Sequence, residues 1–430
     1  MDTIEGRVAA AGPPVRRTSQ LLPASGAAQQ AIAAIAGGGM VVVTDAADRE
    51  DEGDLIVSAA TITTEQVAFL VRHTTGILCA PMTAARARNL QLPQMVAENT
   101  DHHGTAFTVT VDHVRSGTGV SAADRARTLR SLAAPSTRPG DLTRPGHIFP
   151  LTAREGGVLV RAGHTEAAVD LMSIAGRPEV AAIGEIVAED GSMARGEVLR
   201  EFAREHDLPV LDIAELVRYR WTTERLVDHV ATASMPTVFG DFRAVAYRST
   251  IDQVEHLALV MGDVAAAGRS DAGVLVRVHS ECLTGDIVGS LRCDCGTQLE
   301  QALRAVAAHG CGAVVYLRGH EGRGIGLARK IRAYELQEDG LDTVDANVAQ
   351  GLPVDARHYG IGAQVLNDLG VERIRLMTNN PAKQDGLEGQ GVKVVERVAM
   401  PTNENPHNVR YLHTKRDRMG HETPVPCKVV

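Results

Sequence analysis

The sequence predicts two layered domains of mixed helix and strand, in an α+β or α/β arrangement. Predicted strands and helices alternate along the chain, which is typical of layered folds and not of a helical bundle or a β-sandwich. The 430 residues suffice for two or three domains, and a charged stretch around the single tryptophan separates two regions of different chemistry. We therefore expect a flexible tail at 1–25, domains at 26–222 and 223–421, and a C-terminal tail at 422–430.

In the first domain, apolar periodicity and stop signals predict five helices and two strands. The run AAQQAIAAIA (27–36) predicts a helix closed by three glycines, and the β-branched run MVVVT (40–44) predicts a buried strand. Thr63 or Thr64 can cap a second helix, which extends to about Arg72 before a loop-rich stretch. The remaining predicted elements are helices at 164–175, 197–208 and 213–219 and a short strand at 209–211.

The second domain repeats the alternation of strands and helices without repeating the sequence of the first. Its predicted strands lie at 273–279, 313–317 and 373–378. Its predicted helices lie at 297–308, from about 327 onward, and at 362–369. Thr297 and Glu300 have the spacing of a capping box at the start of the first of these helices.

Charge and composition exclude several classes of protein. With 44 basic and 53 acidic residues the formal net charge is −9, and aromatic residues make up only 3%. Such a chain repels phosphate backbones and offers few stacking platforms, so nucleic acid is not expected as a main partner. The sequence has no apolar run long enough to span a membrane, and residues 1–25 lack the pattern of a signal peptide. We therefore expect a cytoplasmic protein with no membrane partner.

Ten residues after the first predicted strand form a strongly acidic loop, DAADREDEGD (45–54). Clustered carboxylates repel one another unless a cation or proton shares the site, and such oxygen ligands suit Mg²⁺. A solvated acidic loop is the alternative that composition alone leaves open.

A second polar cluster favours the metal interpretation. In RAGHTEA (161–167) a helix begins after Gly163, and its free N–H groups form a ready phosphate site beside Arg161 and Thr165. His147 and His164 each follow a glycine, and a neutral imidazole is a good metal ligand. Glu185 ends an apolar stretch and is a candidate for acid–base work. Together these parts predict a Mg²⁺-assisted enolisation of a small sugar phosphate.

The motifs DREDEGD, GTAFTVTVD, TGVSAADR, RPGHIFPL and RAGHTEA, in this order over residues 25–220, resemble those of 3,4-dihydroxy-2-butanone 4-phosphate synthase. The resemblance implies conversion of ribulose 5-phosphate to a four-carbon phosphate and formate, with Mg²⁺ or Mn²⁺ held by Glu50 and His164. It implies proton transfer by His147 and Glu185. It also implies substrate contacts from Arg49, Glu50, Asp54, Arg161, Ala162, Gly163, His164, Thr165 and Glu185. The chain departs from the family pattern at Asp51 and Gly117.

Three cysteines lie within fourteen residues of the second domain, at Cys282, Cys293 and Cys295. Three thiolates suit Zn²⁺, and three protein ligands leave a position for water, the arrangement of a catalytic site. A closed structural site completed by His279 or Asp294 is the alternative. Of the other cysteines, Cys79 and Cys311 are expected to be buried small hydrophobes, and Cys427 has no assigned role. This use of cysteine fits a reducing compartment.

A glycine-rich loop, RGHEGRGIG (318–326), follows the predicted strand at 313–317. Its four glycines allow close approach of the backbone to a ligand, and Arg318 and Arg323 add positive charge. Lys330 and Arg332 follow on the next helix. The loop is neither a dinucleotide fingerprint nor a Walker motif, and a plain surface turn would be the simpler explanation of the loop alone. Beside three cysteines, it predicts a polyphosphate pocket.

The motifs SECLTGD, SLRCDCG, GHEGRGIGL, RAYELQ, PVDARHYG and LMTNNPAK, over residues 230–421, resemble those of GTP cyclohydrolase II. The resemblance implies opening of the guanine imidazole ring with release of formate and pyrophosphate. It implies Zn²⁺ on Cys282, Cys293 and Cys295, Asp355 as proton acceptor and Arg357 as nucleophile. It implies GTP contacts from Arg277, Val278, His279, Ser280, Glu281, Gln298, Glu321, Gly322, Arg323, Tyr334, Thr343, Thr378 and Lys383. His320 stands where many relatives have Gln.

An arginine is an unusual nucleophile because its guanidinium is almost always protonated, so a phosphate clamp is the second interpretation of Arg357. The leading hypothesis is a fused riboflavin-biosynthesis enzyme that acts on ribulose 5-phosphate and GTP, with homodimers implied by the resemblance. One alternative is a single active domain beside a silent structural or regulatory one. Another is a zinc-stabilised module that binds nucleic acid or regulates, against which the charge and the scarce aromatics argue.

Overall fold

The computed structural model describes residues 26–47, 49–355 and 357–422. The predicted tail at 1–25 lies outside these residues, as do Asp48 of the acidic loop, Cys427 and all of the predicted C-terminal tail except Glu422. The described chain forms two mixed seven-stranded sheets, one in each half of the chain. The predicted fold class, two layered domains of helices and strands, is confirmed.

The first half of the described chain contains seven α-helices and seven strands, besides short 3₁₀ turns at Pro139–Asp141 and Gly157–Leu159. In chain order they are α1 (Gly26–Ala36), β1 (Met40–Thr44), β2 (Gly53–Ser58), α2 (Thr64–His73), β3 (Cys79–Met82), α3 (Ala84–Asn89), β4 (Val111–His113), α4 (Ala122–Ala133), β5 (Leu142–Thr152), α5 (His164–Ile174), β6 (Ala181–Glu185), α6 (Gly196–Glu205), β7 (Val210–Asp212) and α7 (Ile213–Thr223). The stretch expected to be loop-rich therefore holds β3, α3, β4, α4 and β5. Its strands β3 and β4 are short and half of the residues of α4 are polar, so apolar periodicity did not reveal them.

The first sheet has the strand order β4-β5-β3-β6-β2-β1-β7 and carries helices on both faces. Alternation along β1 explains the two layers, because Val41 and Val43 pack with α1, α5 and α7, whereas Val42 packs with α2, α4 and α6. On β2 and β6, Asp54 lies opposite Glu185. The sheet thereby brings the end of the acidic loop beside the predicted acid–base residue.

The second half of the described chain contains nine helices and seven strands. They are β8 (Val227–Thr237), β9 (Gly240–Ser249), β10 (Glu255–Met261), α8 (Val264–Arg269), β11 (Val274–Ser280), α9 (Leu283–Asp286), α10 (Cys295–His309), β12 (Gly312–Leu317), α11 (Glu321–Gly324), α12 (Leu327–Glu338), α13 (Thr343–Val348), α14 (Gly360–Asp368), β13 (Arg373–Met377), α15 (Pro381–Glu388), β14 (Lys393–Val398) and α16 (Val409–Met419).

The second sheet has the order β14-β13-β11-β12-β10-β9-β8, and its strands β11, β12 and β13 run parallel. The carboxyl ends of parallel strands meet at one edge of a sheet, where α/β proteins bind ligands. This edge collects the segments that follow Ser280, Leu317 and Met377. It is also where most of the residues predicted to contact GTP lie.

The predicted capping box at Thr297 is wrong. Helix α10 begins two residues earlier, at Cys295, with Asp294 as its N-cap residue. Thr297 therefore lies inside the first turn, and its hydroxyl donates to the backbone carbonyl of Asp294 at 2.9 Å. Thr297 cannot be the N-cap residue because the helix starts before it, directly from the cysteine-containing loop.

The two halves meet where α7 ends. The amide of Gln364 on α14 donates to the backbone carbonyls of Trp221 and Glu224, at 2.9 and 3.0 Å, and its oxygen accepts from the Leu226 amide. The Trp221 ring packs directly on Gly360, where a Cβ atom would lie 2.6 Å from the ring. The tryptophan that marked a boundary in the sequence is thus a contact between the halves.

Candidate active sites

The acidic loop of the first half folds around Asp45, whose carboxylate is buried. That carboxylate accepts hydrogen bonds from the backbone amides of Glu50 and Glu52, at 3.1 and 2.9 Å, and from the guanidinium of Arg49 at 2.9 Å. These hydrogen bonds occupy the Asp45 carboxylate and fix the conformation of the loop. The side chain of Glu50 is left to face the start of α5.

Glu50 and His164 come together as predicted, with Glu50 Oε2 3.5 Å from His164 Nδ1 and Asp54 Oδ1 4.0 Å from the same nitrogen. Donor atoms of Asp45, Glu50 and His164 lie within 4.8 Å of one another. Two further buried atoms, Asp54 Oδ1 and His164 Nε2, have no hydrogen-bond partner among the described residues. Such a set of carboxylates and imidazole fits a divalent cation.

Electrostatics at this site balances one imidazole against three carboxylates. A hydrogen bond from His164, aided by Arg49, lowers the pKa of Glu50 to about 2. Burial raises the pKa of Asp54 to about 7. Burial alone would lower the pKa of His164, but Asp54 and Glu50 outweigh it and raise that pKa to about 9. The site strongly favours positive charge between the carboxylates, and a bound metal can replace the imidazole proton.

The N-terminus of α5 faces two guanidinium groups. Gly163 is the N-cap residue and provides no side-chain cap, so the first amides of the helix stay available. A Cβ atom at Gly163 would lie 2.4 Å from Arg161 and 3.0 Å from Arg49, so both guanidinium groups converge there. The predicted segment 161–165 thus places free backbone amides beside two guanidinium groups, an arrangement that can attract an anion.

The two predicted proton-transfer residues have partners that sequence reasoning missed. The Thr75 hydroxyl donates to Glu185 Oε2 at 2.7 Å, and Asp112 Oδ2 lies 2.7 Å from Nδ1 of His147. Asp112 belongs to the motif GTAFTVTVD, which was the only signal for it in the sequence. Thr75 has no comparable signal.

In the second half, the three predicted cysteines form one cluster. The Sγ atoms of Cys282 and Cys293 are 3.7 Å apart, and those of all three cysteines lie within 4.8 Å of one another. Two thiolates that bind zinc tetrahedrally at about 2.3 Å would lie about 3.8 Å apart, so the spacing fits zinc. Neither residue considered as a fourth ligand belongs to this cluster, since His279 Nε2 bonds Asp286 and Asp294 bonds Gln298 and Lys415.

Lys330 is a buried cation directly beside this cluster. Its Nζ lies 3.1 Å from Cys282 Sγ, 2.8 Å from Thr284 Oγ1 and 2.5 Å from Glu321 Oε1. Hydrogen bonds from Cys293 and Cys295, with the charge of Lys330, lower the pKa of the Cys282 thiol. The surroundings therefore favour the thiolate that a metal requires.

A cavity opens beside the cysteines at the carboxyl edge of the second sheet. The glycines of the loop 318–326 all have positive φ angles, between 60° and 89°, and Arg323 also has a φ of 67°. This left-handed backbone turns the Arg323 guanidinium inward, where its terminal nitrogens have no partner among the described residues. The predicted residues that line the cavity are Arg277, His279, Ser280, Glu281, Gln298, Gly322, Arg323, Tyr334, Thr343, Arg357, Thr378 and Lys383.

Three of the predicted residues stand just outside this lining. Val278 is buried in β11, and its carbonyl accepts from the Nζ atom of Lys383 at 2.8 Å. Glu321 pairs with Lys330, and Asp355 lines an adjoining pocket together with Arg357. Sequence reasoning missed further lining residues, among them Asn379, Tyr411, Lys415 and His421.

Asp355 and Arg357 form a close ion pair, with Arg357 Nε 2.8 Å from Asp355 Oδ1. Burial would raise the pKa of Asp355, but Arg357 outweighs it and lowers that pKa. Burial works against the charge of Arg357 as well, and its bond to Asp355 reverses this and raises the guanidinium pKa. The pair places a firmly charged guanidinium at the cavity wall.

Comparison with known proteins finds a family for each half of the chain. The family model of 3,4-dihydroxy-2-butanone 4-phosphate synthase matches residues 29–219, and that of GTP cyclohydrolase II matches residues 228–399. Riboflavin biosynthesis protein RibBA of Salinispora arenicola is 59% identical over 379 residues, which cover 88% of this chain and 89% of the relative. This chain belongs to the RibBA family.

RibBA proteins are bifunctional, and the chain is accordingly an enzyme of riboflavin biosynthesis with a synthase domain and a cyclohydrolase domain. Among solved structures, RibBX, a two-domain 3,4-dihydroxy-2-butanone 4-phosphate synthase of A. baumannii, matches with a TM-score of 0.65 and 32% identity, covering 87% of this chain and 99% of its own. A solved synthase in complex with two magnesium ions is 46% identical over 45% of this chain and 96% of its own, with a TM-score of 0.44. No helix of the described residues is long and apolar enough to cross a membrane.

Proposed function

We propose that the synthase domain converts D-ribulose 5-phosphate to 3,4-dihydroxy-2-butanone 4-phosphate and formate. We propose that the cyclohydrolase domain converts GTP to 2,5-diamino-6-(5-phosphoribosylamino)pyrimidin-4-one, formate and pyrophosphate. The observation that carries the proposal is that each domain joins a metal-ligand cluster to an anion site. Glu50 and His164 adjoin the start of α5, and the three cysteines adjoin a cationic cavity.

In the synthase domain, Glu50 and His164 are proposed to hold Mg²⁺ or Mn²⁺. Asp54 Oδ1, which lies 4.0 Å from His164 Nδ1, is a buried oxygen with no hydrogen-bond partner among the described residues, and this fits a cation beside it. A bound divalent ion would supply stabilisation of the negative charge that develops on an enediolate. Asp45 is not part of this proposal, because the loop amides and Arg49 occupy its oxygens.

The remaining residues of the synthase site divide into anion-binding and proton-transfer groups. Arg49 and the segment 161–165 are proposed to bind the substrate phosphate at the α5 N-terminus, with Asp54 contacting substrate hydroxyls. His147 and Glu185 are proposed as the proton-transfer residues. Their partners support this role, because Asp112 and Thr75 fix the orientation of the imidazole and the carboxylate.

In the cyclohydrolase domain, Cys282, Cys293 and Cys295 are proposed to hold Zn²⁺. The 3.7 Å spacing of Cys282 and Cys293 and the cation of Lys330 support this assignment. Zinc with three protein ligands would supply Lewis acidity for hydrolysis of the guanine imidazole ring. The predicted nucleotide contacts are proposed as the GTP site, since most of them line the same cavity.

Asp355 is proposed as a proton acceptor beside the triphosphate, and Arg357 as the group facing the α-phosphorus. The ion pair with Asp355 keeps Arg357 protonated, which favours a clamp over a nucleophile. A clamp stabilises the charge that develops as pyrophosphate leaves.

We also propose a homodimer in a reducing, cytoplasmic compartment. Strand β8 is exposed along most of its length at the edge of the second sheet, and such an edge pairs readily with another chain. All five cysteines of the described residues are free thiols.

A paired formate assay tests both activities. Purified protein with Mg²⁺ and Zn²⁺ is expected to release formate from ribulose 5-phosphate and, separately, from GTP. Glu50→Ala is expected to abolish only the first reaction, and Cys293→Ser only the second. Cys311→Ser, a thiol outside the cluster, is the matched control and should retain both.

Absence of formate from both substrates would overturn the proposal. Formate from only one substrate would support the alternative of a single active domain beside a silent one. Loss of both activities in either variant would contradict independent sites.

A further inference from the structure

Helix α16 forms one side of the cavity in the cyclohydrolase domain. It spans Val409–Met419, beyond residue 399, where the match to the cyclohydrolase family model ends. Tyr411 and Lys415 on this helix, and His421 just after it, line the cavity together with the proposed GTP contacts. Helix α16 therefore contributes side chains to the cavity, although none of its residues was predicted to contact GTP.

Several contacts outside the cavity hold α16 in place. Arg418 pairs with Asp342, and with Asp345 at 2.9 Å, at the start of α13. Past the helix, the Glu422 amide donates to the carbonyl of Asn379, another cavity residue, at 3.0 Å. The wall that α16 forms is thus anchored by the fold itself.

Within the cavity, Lys415 starts a chain of hydrogen bonds that reaches the sheet. Its Nζ lies 3.0 Å from Asp294 Oδ1, and Asp294 stands between two of the clustered cysteines. The other oxygen of Asp294 accepts from Gln298 Nε2 at 2.6 Å, and Gln298 Oε1 accepts from Arg277 at 2.6 Å. Arg277 also donates to the Met377 carbonyl, and its buried Nε has no partner among the described residues.

Lys415 also balances a negative charge at the cavity. Three cations of the cavity are each paired with a carboxylate, as Lys330–Glu321, Arg357–Asp355 and Lys415–Asp294. Removal of Lys415 would leave the carboxylate of Asp294, which is 1% exposed, without its ion-pair partner beside the proposed GTP contacts. An uncompensated buried carboxylate repels a polyanion and loosens the groups that it orients.

We propose that α16 is a wall of the GTP site and that Lys415 is its positioning residue. Lys415 holds Arg277 through Asp294 and Gln298, and it cancels the charge of Asp294. The inference rests on the proposed cyclohydrolase function and names a part of its site. The ligand class is a purine nucleoside triphosphate, and the effect falls mainly on its binding.

The test compares steady-state kinetics for GTP in wild type and in Lys415→Met. The KM for GTP is expected to rise roughly tenfold or more, with a smaller change in kcat. Lys415→Arg, which keeps the charge, is expected to recover most of the loss. Bound zinc and formate release from ribulose 5-phosphate should stay at wild-type values. Arg416→Met, an exposed neighbour on the same helix that pairs with Asp417, is the matched control.

A second variant keeps the test decisive if Lys415→Met does not fold. Asp294→Asn combined with Lys415→Met removes the ion pair without leaving a buried charge, so its KM should lie between those of wild type and a tenfold increase. A wild-type KM in Lys415→Met, or in the double variant if Lys415→Met does not fold, would overturn the inference. A fall in kcat or zinc content at unchanged KM would also overturn it. If wild type itself releases no formate from GTP, the proposed cyclohydrolase function fails instead.

Discussion

Asp112 Oδ2 lies 2.7 Å from Nδ1 of His147, and the other carboxylate oxygen of Asp112 accepts the backbone amide of His147 at 3.1 Å. The carboxylate fixes the ring and its tautomer, so that Nε2 is the nitrogen left for proton transfer. Gly119 makes room for this pair, because a Cβ atom there would lie 2.1 Å from Asp112 Oδ2, and its φ of 82° also favours glycine. The pair joins a predicted proton-transfer residue to one that had no predicted role.

Asp112→Asn is expected to lower kcat for ribulose 5-phosphate by roughly 10²- to 10⁴-fold, because an amide can present the wrong hydrogen-bonding atom to the imidazole. Formate release from ribulose 5-phosphate measures the effect. The GTP reaction of the same sample is the internal control and should not change. A kcat within threefold of wild type would show that Asp112 does not orient His147 for catalysis.

Lys330→Met is expected to weaken zinc binding by roughly 10- to 100-fold, because the variant leaves Glu321 and the Cys282 thiolate without their shared cation. Competition with a chromophoric chelator measures the affinity. Arg329→Met, an exposed neighbour, is the matched control. Zinc affinity equal to wild type would mean that the cation does not support the metal ligands.

The residues that the sequence could predict are those whose chemistry lies in short motifs or in family resemblance. The three cysteines fall in one short segment, and Glu50 and His164 each lie in a motif of the synthase family. Asp112 and His147 are 35 positions apart, and Lys415 and Asp294 are 121 positions apart. Strand pairing and helix packing bring such residues together, and spacing in the sequence does not encode them.

The elements of the fold likewise divide into those that a local sequence pattern reveals and those that it does not. Short apolar strands such as β1 and β12 were predicted within a residue or so, because burial on both faces gives a continuous apolar run. Strand β8 is exposed at nearly every position. Five of the eleven residues of α16 are basic, namely Arg410, His413, Lys415, Arg416 and Arg418. Neither pattern distinguishes these elements from loops.

His320→Gln is expected to make the protein more resistant to acid. Burial, with the charges of Arg357 and Lys383, lowers the pKa of His320 to about 3, whereas an unfolded histidine has a pKa of about 6.5. Below pH 6.5 the unfolded chain therefore binds a proton that the folded chain does not, and stability falls as the pH decreases. At pH 5.0 the loss is about 2 kcal/mol.

Urea unfolding at pH 7.5 and pH 5.0 measures this contribution as the change in the free energy of unfolding. His320→Gln should lose about 2 kcal/mol less than wild type between the two values. His309→Gln, at an exposed histidine, is the control and should lose as much as wild type. An equal loss in His320→Gln and wild type would mean that His320 is protonated in the fold.

Gly360→Ala is expected to disturb the contact between the two halves of the chain. A Cβ atom at this position would lie 2.6 Å from the ring of Trp221, which is buried against α14, so the ring must move. Such overpacking costs about 1–3 kcal/mol, and partial exposure of the ring should shift its fluorescence to longer wavelength. Trp221 is the single tryptophan, so the emission reports this contact alone. Gly140→Ala, where a Cβ atom would meet nothing within 4 Å, is the matched control. Unchanged emission and stability in Gly360→Ala would mean that the halves do not meet through Trp221, because a ring packed on Gly360 cannot accept a methyl group without moving.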